Sequence, residues 1–105
     1  VVADQIGTPT NAADLAKAIL TILPKINNKT VDLFHYSNEG ICSWYDFANT
    51  IFQIEGLSVR LTPIETKDYP TPAERPFYSV LNKRKIKEVY KITIPYWRDS
   101  LISVL

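Results

Sequence analysis

The stretch Tyr69-Pro70-Thr71-Pro72-Ala73-Glu74-Arg75-Pro76 holds three prolines in eight residues and constrains this chain more than any other segment. A proline ring fixes φ at about −65° and removes a backbone donor, so the stretch can be neither a helix interior nor a central strand. It has to be an ordered or semi-ordered loop. Arg75 lies in that loop between Glu74 and Pro76, on a backbone that is partly pre-organised. Its planar guanidinium suits bidentate capture of a phosphate. The alternative is a surface arginine paired with Glu74 or another acid.

Either side of the loop, the pattern alternates helical and extended signals. Val1 to Ile6 reads as a short strand that ends at Gly7-Thr8-Pro9-Thr10. Thr10 or Asn11 can cap a helix with Asp14 in its first turn, and Ala12, Leu15, Ala16, Ile19, Ile22 and Leu23 recur at helical spacing before Pro24. After a polar break at Asn27-Asn28-Lys29, Val31 to Tyr36 reads as a strand covered on both faces. A second helix is announced by Ser43 with Asp46 three residues on, by Cys42 and Phe47 at staple spacing, and by Gly56 as its left-handed terminator. Its expected apolar face is Trp44, Phe47, Ala48, Ile51 and Phe52. Val59 to Ile64 and Phe77 to Leu81 read as short strands. A helix capped by Asn82 should point Lys83, Arg84, Lys85 and Lys87 outward and Ile86, Val89 and Tyr90 inward; a last one from Pro95 should bury Trp97, Leu101, Val104 and Leu105. About four helices with short strands make an α+β domain.

Twelve basic residues against eleven acidic ones give a net charge of +1, so no overall field draws the chain to nucleic acid or an anionic membrane. No apolar run approaches the length of a membrane span. A lone Cys42 and no zinc-like Cys/His spacing fit a reducing, cytoplasmic setting and no metal site. The chain starts Val1-Val2-Ala3 and contains no methionine, which reads as a piece of a longer protein.

Catalytic chemistry is hard to find. With only Gly7, Gly40 and Gly56, there is no glycine-rich phosphate turn. His35 sits in the expected strand and reads as a structural, hydrogen-bonded histidine rather than a base. Cys42 reads as a small packed hydrophobe rather than a nucleophile. The lysines from Lys83 to Lys91 read as a solvated face, and most of the aromatics, Trp44 included, as core. The turn Gln5 to Thr10 offers polar groups at a strand end, where ligands approach α/β folds.

Several stretches, in order, carry a resemblance. They are Val2-Ala3-Asp4-Gln5-Ile6-Gly7-Thr8-Pro9-Thr10 leading into Ala13-Asp14-Leu15-Ala16, then Phe34-His35-Tyr36-Ser37 through Gly40, Ser43-Trp44-Tyr45-Asp46-Phe47-Ala48, and Asp68 to Pro76 followed by Ser79-Val80-Leu81. Together these resemble, nearly end to end, the C-terminal portion of dTDP-4-dehydrorhamnose reductases of the extended short-chain dehydrogenase/reductase superfamily. The resemblance implies that residues 1–105 form a substrate-binding lobe. The N-terminal Rossmann domain that holds NADPH or NADH, absent from this chain, would be its partner and would carry the Tyr-x-x-x-Lys pair. The full enzyme would reduce dTDP-4-dehydro-L-rhamnose to dTDP-L-rhamnose for surface polysaccharide. The lobe alone is expected to be inactive, with no catalytic, cofactor or metal residue of its own. Arg75 corresponds to an arginine that related nucleotide-sugar enzymes use near the diphosphate, and Gln5, Gly7, Thr8 and Thr10 match the turn entering the substrate lobe. The resemblance also covers non-catalytic subunits such as the regulatory subunit of methionine adenosyltransferase, which makes a binding module the alternative. Apolar surface that would meet the Rossmann half is expected to favour self-association.

Overall fold

The N-terminal segment is the seam onto which the rest of the chain is sewn. In the computed structural model, which describes residues 1–27 and 29–105, its backbone bonds to three separate stretches. The Val1 ammonium donates to the Thr62 carbonyl (2.8 Å), and the Ala3 N–H and Val1 carbonyl pair with Ile64 (2.9 and 3.0 Å). Ile6 brackets the chain after the proline loop, donating to the Phe77 carbonyl and accepting from the Ser79 N–H, both at 2.8 Å. On its other side β1 (Ile6–Gly7) runs antiparallel to β2 (Cys42–Ser43), with Ile6 opposite Ser43 and Gly7 opposite Cys42. Thus Val59 to Ile64 and Phe77 to Leu81 contribute single parallel bridges, Val2 with Ile64 and Ile6 with Tyr78, rather than full strands.

Four helices follow from local chemistry. α1 (Ala12–Ile22) is capped by Asn11, whose side chain accepts from the Asp14 N–H at 3.0 Å, and a 3₁₀ turn at Leu23–Lys25 carries Pro24. α2 (Trp44–Ile54) has a full capping box: Ser43 Oγ accepts from the Asp46 N–H, and the Asp46 carboxylate accepts from the Ser43 N–H. Gly56, at φ 64°, turns the chain out of α2 in the left-handed region. α3 (Arg84–Tyr90) and α4 (Trp97–Val104) complete the set.

The core gathers where α2 meets α4. Cys42, Trp97 and Leu101 are buried together, with Phe47, Ile51 and Ile54 packed against them, so the Cys42–Phe47 staple spacing converges on one cluster. Beside it is a polar joint. Asn38, with no exposed surface, accepts from the Asn11 N–H (2.7 Å) and donates to Asp14 (2.7 Å), Ser100 (3.0 Å) and the Pro95 carbonyl (3.2 Å). The buried Lys83 ammonium donates to the Asn38 carbonyl at 2.8 Å and pairs with Glu39.

Several expectations fail, each for a physical reason. Val31 to Tyr36 is extended but pairs with no strand among the described residues, and Val31 is fully exposed. A β-favouring run forms a strand only when a neighbour supplies the other half of its hydrogen bonds. His35 accordingly lies exposed rather than in a covered strand, with no hydrogen bond among the described residues. Of the polar break at Asn27-Asn28-Lys29, Asn28 lies outside the described residues. Lys83 points inward, not outward, because it precedes the first turn of α3 and reaches Asn38 and Glu39. Val89, Val104 and Leu105 are exposed, since no element among the described residues covers the far sides of α3 and α4. A radius of gyration of 16.5 Å exceeds the roughly 13 Å of a compact domain this long, matching so much uncovered apolar surface.

Candidate functional site

A cleft of about 410 Å3 opens where the N-terminal seam, the start of α2 and the end of the proline loop meet. Its first wall is the run from Gln5 to Pro9, its second is Cys42, Ser43, Trp44 and Phe47, and its third is Arg75, Pro76 and Ser79. Each wall is set by bonds already described: β1 to β2 joins the first two, and Ile6 to Phe77 and Ser79 joins the first and third. Gly7 permits the close approach, since a Cβ there would stand 3.0 Å from Ser79 Oγ. Thr8 Oγ1 donates to the Gly40 carbonyl at 2.6 Å, pinning the turn above α2.

Of the residues singled out from sequence, Gln5, Gly7, Thr8 and Arg75 line this cleft, while Thr10 is exposed and outside its lining. Arg75 is exposed and makes no ion pair among the described residues, with Glu74 or otherwise, so its donors are free to meet a ligand. Periodicity misassigns Trp44. It stands at the edge of the apolar stripe of α2 and is 62% exposed at the cleft rather than in the core. Its indole N–H donates to Gln5 Oε1 at 3.2 Å; Gln5 Nε2 donates to Thr66 Oγ1 at 3.2 Å; and Thr66 Oγ1 donates to Asp4 at 2.7 Å. The Thr66 hydroxyl and N–H hold the Asp4 carboxyl below its usual range.

The cleft carries no activated nucleophile. Burial, with a smaller contribution from the Asp46 charge, pushes the Cys42 thiol up to about 11, the wrong direction for a reactive thiolate. Among the described residues no cluster of three or more His, Cys, Asp or Glu could hold a metal, and no helix is long and apolar enough to cross a membrane. Nor does the strand–turn–helix at β1 and α1 fit a dinucleotide. The turn carries a single glycine, Gly7, the Asn11 and Asp14 amides are already taken by the Asn38 and Asn11 side chains, and Asp14 adds a negative charge to the first turn of α1. A second, shallower depression lies between Glu39 and α3, where Glu39 pairs with both Lys87 and Lys83, which hold its carboxyl below the usual range.

The whole chain, residues 1–105, matches the family model described as the RmlD substrate binding domain. The chain belongs to that family. Among curated relatives, the spore coat polysaccharide biosynthesis protein SpsK of Bacillus subtilis is 42% identical over all of this chain and 35% of its own length. The dTDP-4-dehydrorhamnose reductase of Sinorhizobium fredii is 38% identical over 95% of this chain and 36% of its own. A crystal structure of the Clostridium acetobutylicum dTDP-4-dehydrorhamnose reductase superposes with a TM-score of 0.86 at 42% identity, covering 98% of this chain and 36% of that one. The Bacillus anthracis reductase, solved in complex with NADP, gives 0.85 at 34% identity over 97% of this chain and 34% of its own. The chain therefore spans about a third of the length of the relatives it matches. As a member of the RmlD substrate binding domain family, it has the small α+β architecture of these reductases, with a two-stranded sheet and four helices.

Proposed function

We propose that residues 1–105 form the substrate lobe of an NADP-dependent dTDP-4-dehydrorhamnose reductase and that the cleft between β1, α2 and the proline loop receives the dTDP-sugar. The observation that carries this reading is the convergence of Gln5, Gly7, Thr8 and the unpaired Arg75 on one cleft in a member of a substrate-binding family. Arg75 meets the diphosphate, and the Gln5–Thr8 turn lies against the rest of the ligand. The chain carries no glycine-rich phosphate turn, so reduction of the C4 ketone belongs to a Rossmann domain that forms the opposite wall. This lobe binds and orients. The apolar residues uncovered on α1 and between Val31 and Phe34 meet that domain, and in its absence drive self-association. The buried free thiol of Cys42 and the soluble substrates support a cytoplasmic setting. The regulatory-subunit alternative draws no support from the relatives, which are named as reductases or as a polysaccharide biosynthesis protein.

The test is calorimetric titration of the full-length enzyme with dTDP. Charge-assisted hydrogen bonds to a phosphate contribute about 1.5–3 kcal/mol, so Arg75→Ala should weaken binding roughly 10- to 100-fold. Unchanged affinity in that variant would remove Arg75 from the diphosphate and overturn this placement of the ligand.

A further inference from the structure

We infer that Trp44 is the stacking platform for the pyrimidine base of the nucleotide, held in its orientation by Gln5. This rests on the proposed role of the cleft and adds the group that recognises the base end of the ligand.

Trp44 is placed anomalously for its size. A tryptophan at the first position of a helix, 62% exposed, leaves a large apolar face in water, where nothing in the fold gains from it. Yet it is held in place. Its backbone is fixed by the Ser43–Asp46 capping box, and its indole N–H by Gln5. An indole nitrogen can only donate, so it must meet the carbonyl oxygen of the Gln5 amide. That turns the Gln5 NH2 toward Thr66 Oγ1, whose own proton then goes to the Asp4 carboxylate. Every link in this relay has one permitted direction, and it ends on a charged acceptor that strengthens it. The relay orients an aromatic plate while leaving its face free, which is pre-organisation for a ligand rather than packing.

The chemistry of the same cleft says which ligand. A nucleoside diphosphate presents a flat base and an anionic diphosphate separated by one sugar. The cleft offers an aromatic face on the α2 wall and an unpaired guanidinium on the proline-loop wall, within a volume ordinary for a small-molecule site. Aromatic stacking gives roughly 5- to 100-fold in affinity per base and accepts any base with a π-face, so the hydrogen bonds that distinguish one base from another come from elsewhere.

The decisive experiment titrates the full-length enzyme with two probes, dTDP and inorganic diphosphate, in the native form and in Trp44→Ala, Trp44→Phe, Gln5→Ala and Arg75→Ala. Trp44→Ala should weaken dTDP roughly 5- to 100-fold and leave diphosphate unchanged. Trp44→Phe should recover most of the loss, and Gln5→Ala should show a smaller loss, also confined to dTDP. Arg75→Ala should weaken both probes. If Trp44→Ala spares dTDP while Arg75→Ala weakens it, the cleft takes the nucleotide but Trp44 does not hold the base, and the inference fails alone. An equal loss on both probes from Trp44→Ala would make Trp44 a structural residue and overturn the inference too. If no variant alters either probe, the cleft itself is misassigned and both readings fall. Because Trp44 is exposed, its removal leaves the α2–α4 core intact, and unchanged thermal unfolding checks this.

Discussion

Two flanks of the molecule treat apolar side chains in opposite ways. Around the cleft and the α2–α4 junction, Cys42, Trp97 and Leu101 are buried, the start of α2 is capped, and the fully buried side chain of Asn38 is hydrogen-bonded through both its oxygen and its nitrogen. Along α1 and the extended segment after it, Ile19, Leu20, Leu23, Ile26, Val31 and Leu33 stand largely in water. The first flank packs its apolar residues against one another; the second leaves them uncovered among the described residues. Burial is thus a property of what faces a residue, and a hydrophobic pattern records only that something should.

This contrast can be broken by experiment, and the largest effect should be in the self-completing flank. Trp97→Ala removes the centre of the core and should destabilise the chain by about 3–5 kcal/mol in urea unfolding. Gly40→Ala should be comparably severe: its φ of 86° is left-handed, and a Cβ would stand 2.1 Å from the Tyr96 ring. A mild response from either would show that this flank is held by something other than the α2–α4 packing.

Next in size is the polar joint. Asn38→Ala strands the Asn11 N–H and loosens Asp14 and Ser100, at about 1–3 kcal/mol for each buried group left unpaired. Ser43→Ala removes one side of the capping box and should cost about 1 kcal/mol, read as a lower unfolding midpoint with an unchanged slope.

A smaller, pH-dependent effect comes from Glu39. Lys87 and Lys83 depress its folded-state pKa below the ordinary value of 4.5. The unfolded chain therefore takes up that proton first. The stabilisation is complete above about pH 4.5 and is lost as pH falls through the depressed folded value. Unfolding midpoints from pH 7 to 3 should fall more steeply in the native chain than in Glu39→Gln; parallel curves would remove Glu39 from the balance. Smallest of all, Leu20→Asp should change stability by no more than about 0.5 kcal/mol while reducing association in light scattering at high concentration. A large loss of stability there would make the second flank as self-contained as the first.

Helix ends were the most legible part of the sequence, because a cap is a bond between a side chain and amides two or three residues away. Asn11, Ser43 with Asp46, and Gly56 all act where the sequence places them. Four of the five residues picked out at the seam and the proline loop share one cleft, since short polar turns after a strand and stiff loops mark themselves locally. What stayed hidden depends on distant neighbours. Val31 to Tyr36 has strand composition but no partner strand among the described residues, and Lys83 looks like any surface lysine until Asn38 and Glu39 are placed beside it. Trp44 was hidden differently: helical spacing puts it on the apolar side of α2, and only the three-dimensional edge of that stripe shows it to be at the cleft mouth.

Asn38 has one more consequence. It links the start of α1, the loop before α4 and α4 itself through a side chain that carries no ionisable proton. An aspartate of the same shape would face Asp14 and make the joint responsive to acidity through mutual repulsion. With a carboxamide there, the same position meets the Asp14 carboxylate as a donor instead of a rival, and one neutral side chain ties three parts of the chain together without adding a charge behind the cleft.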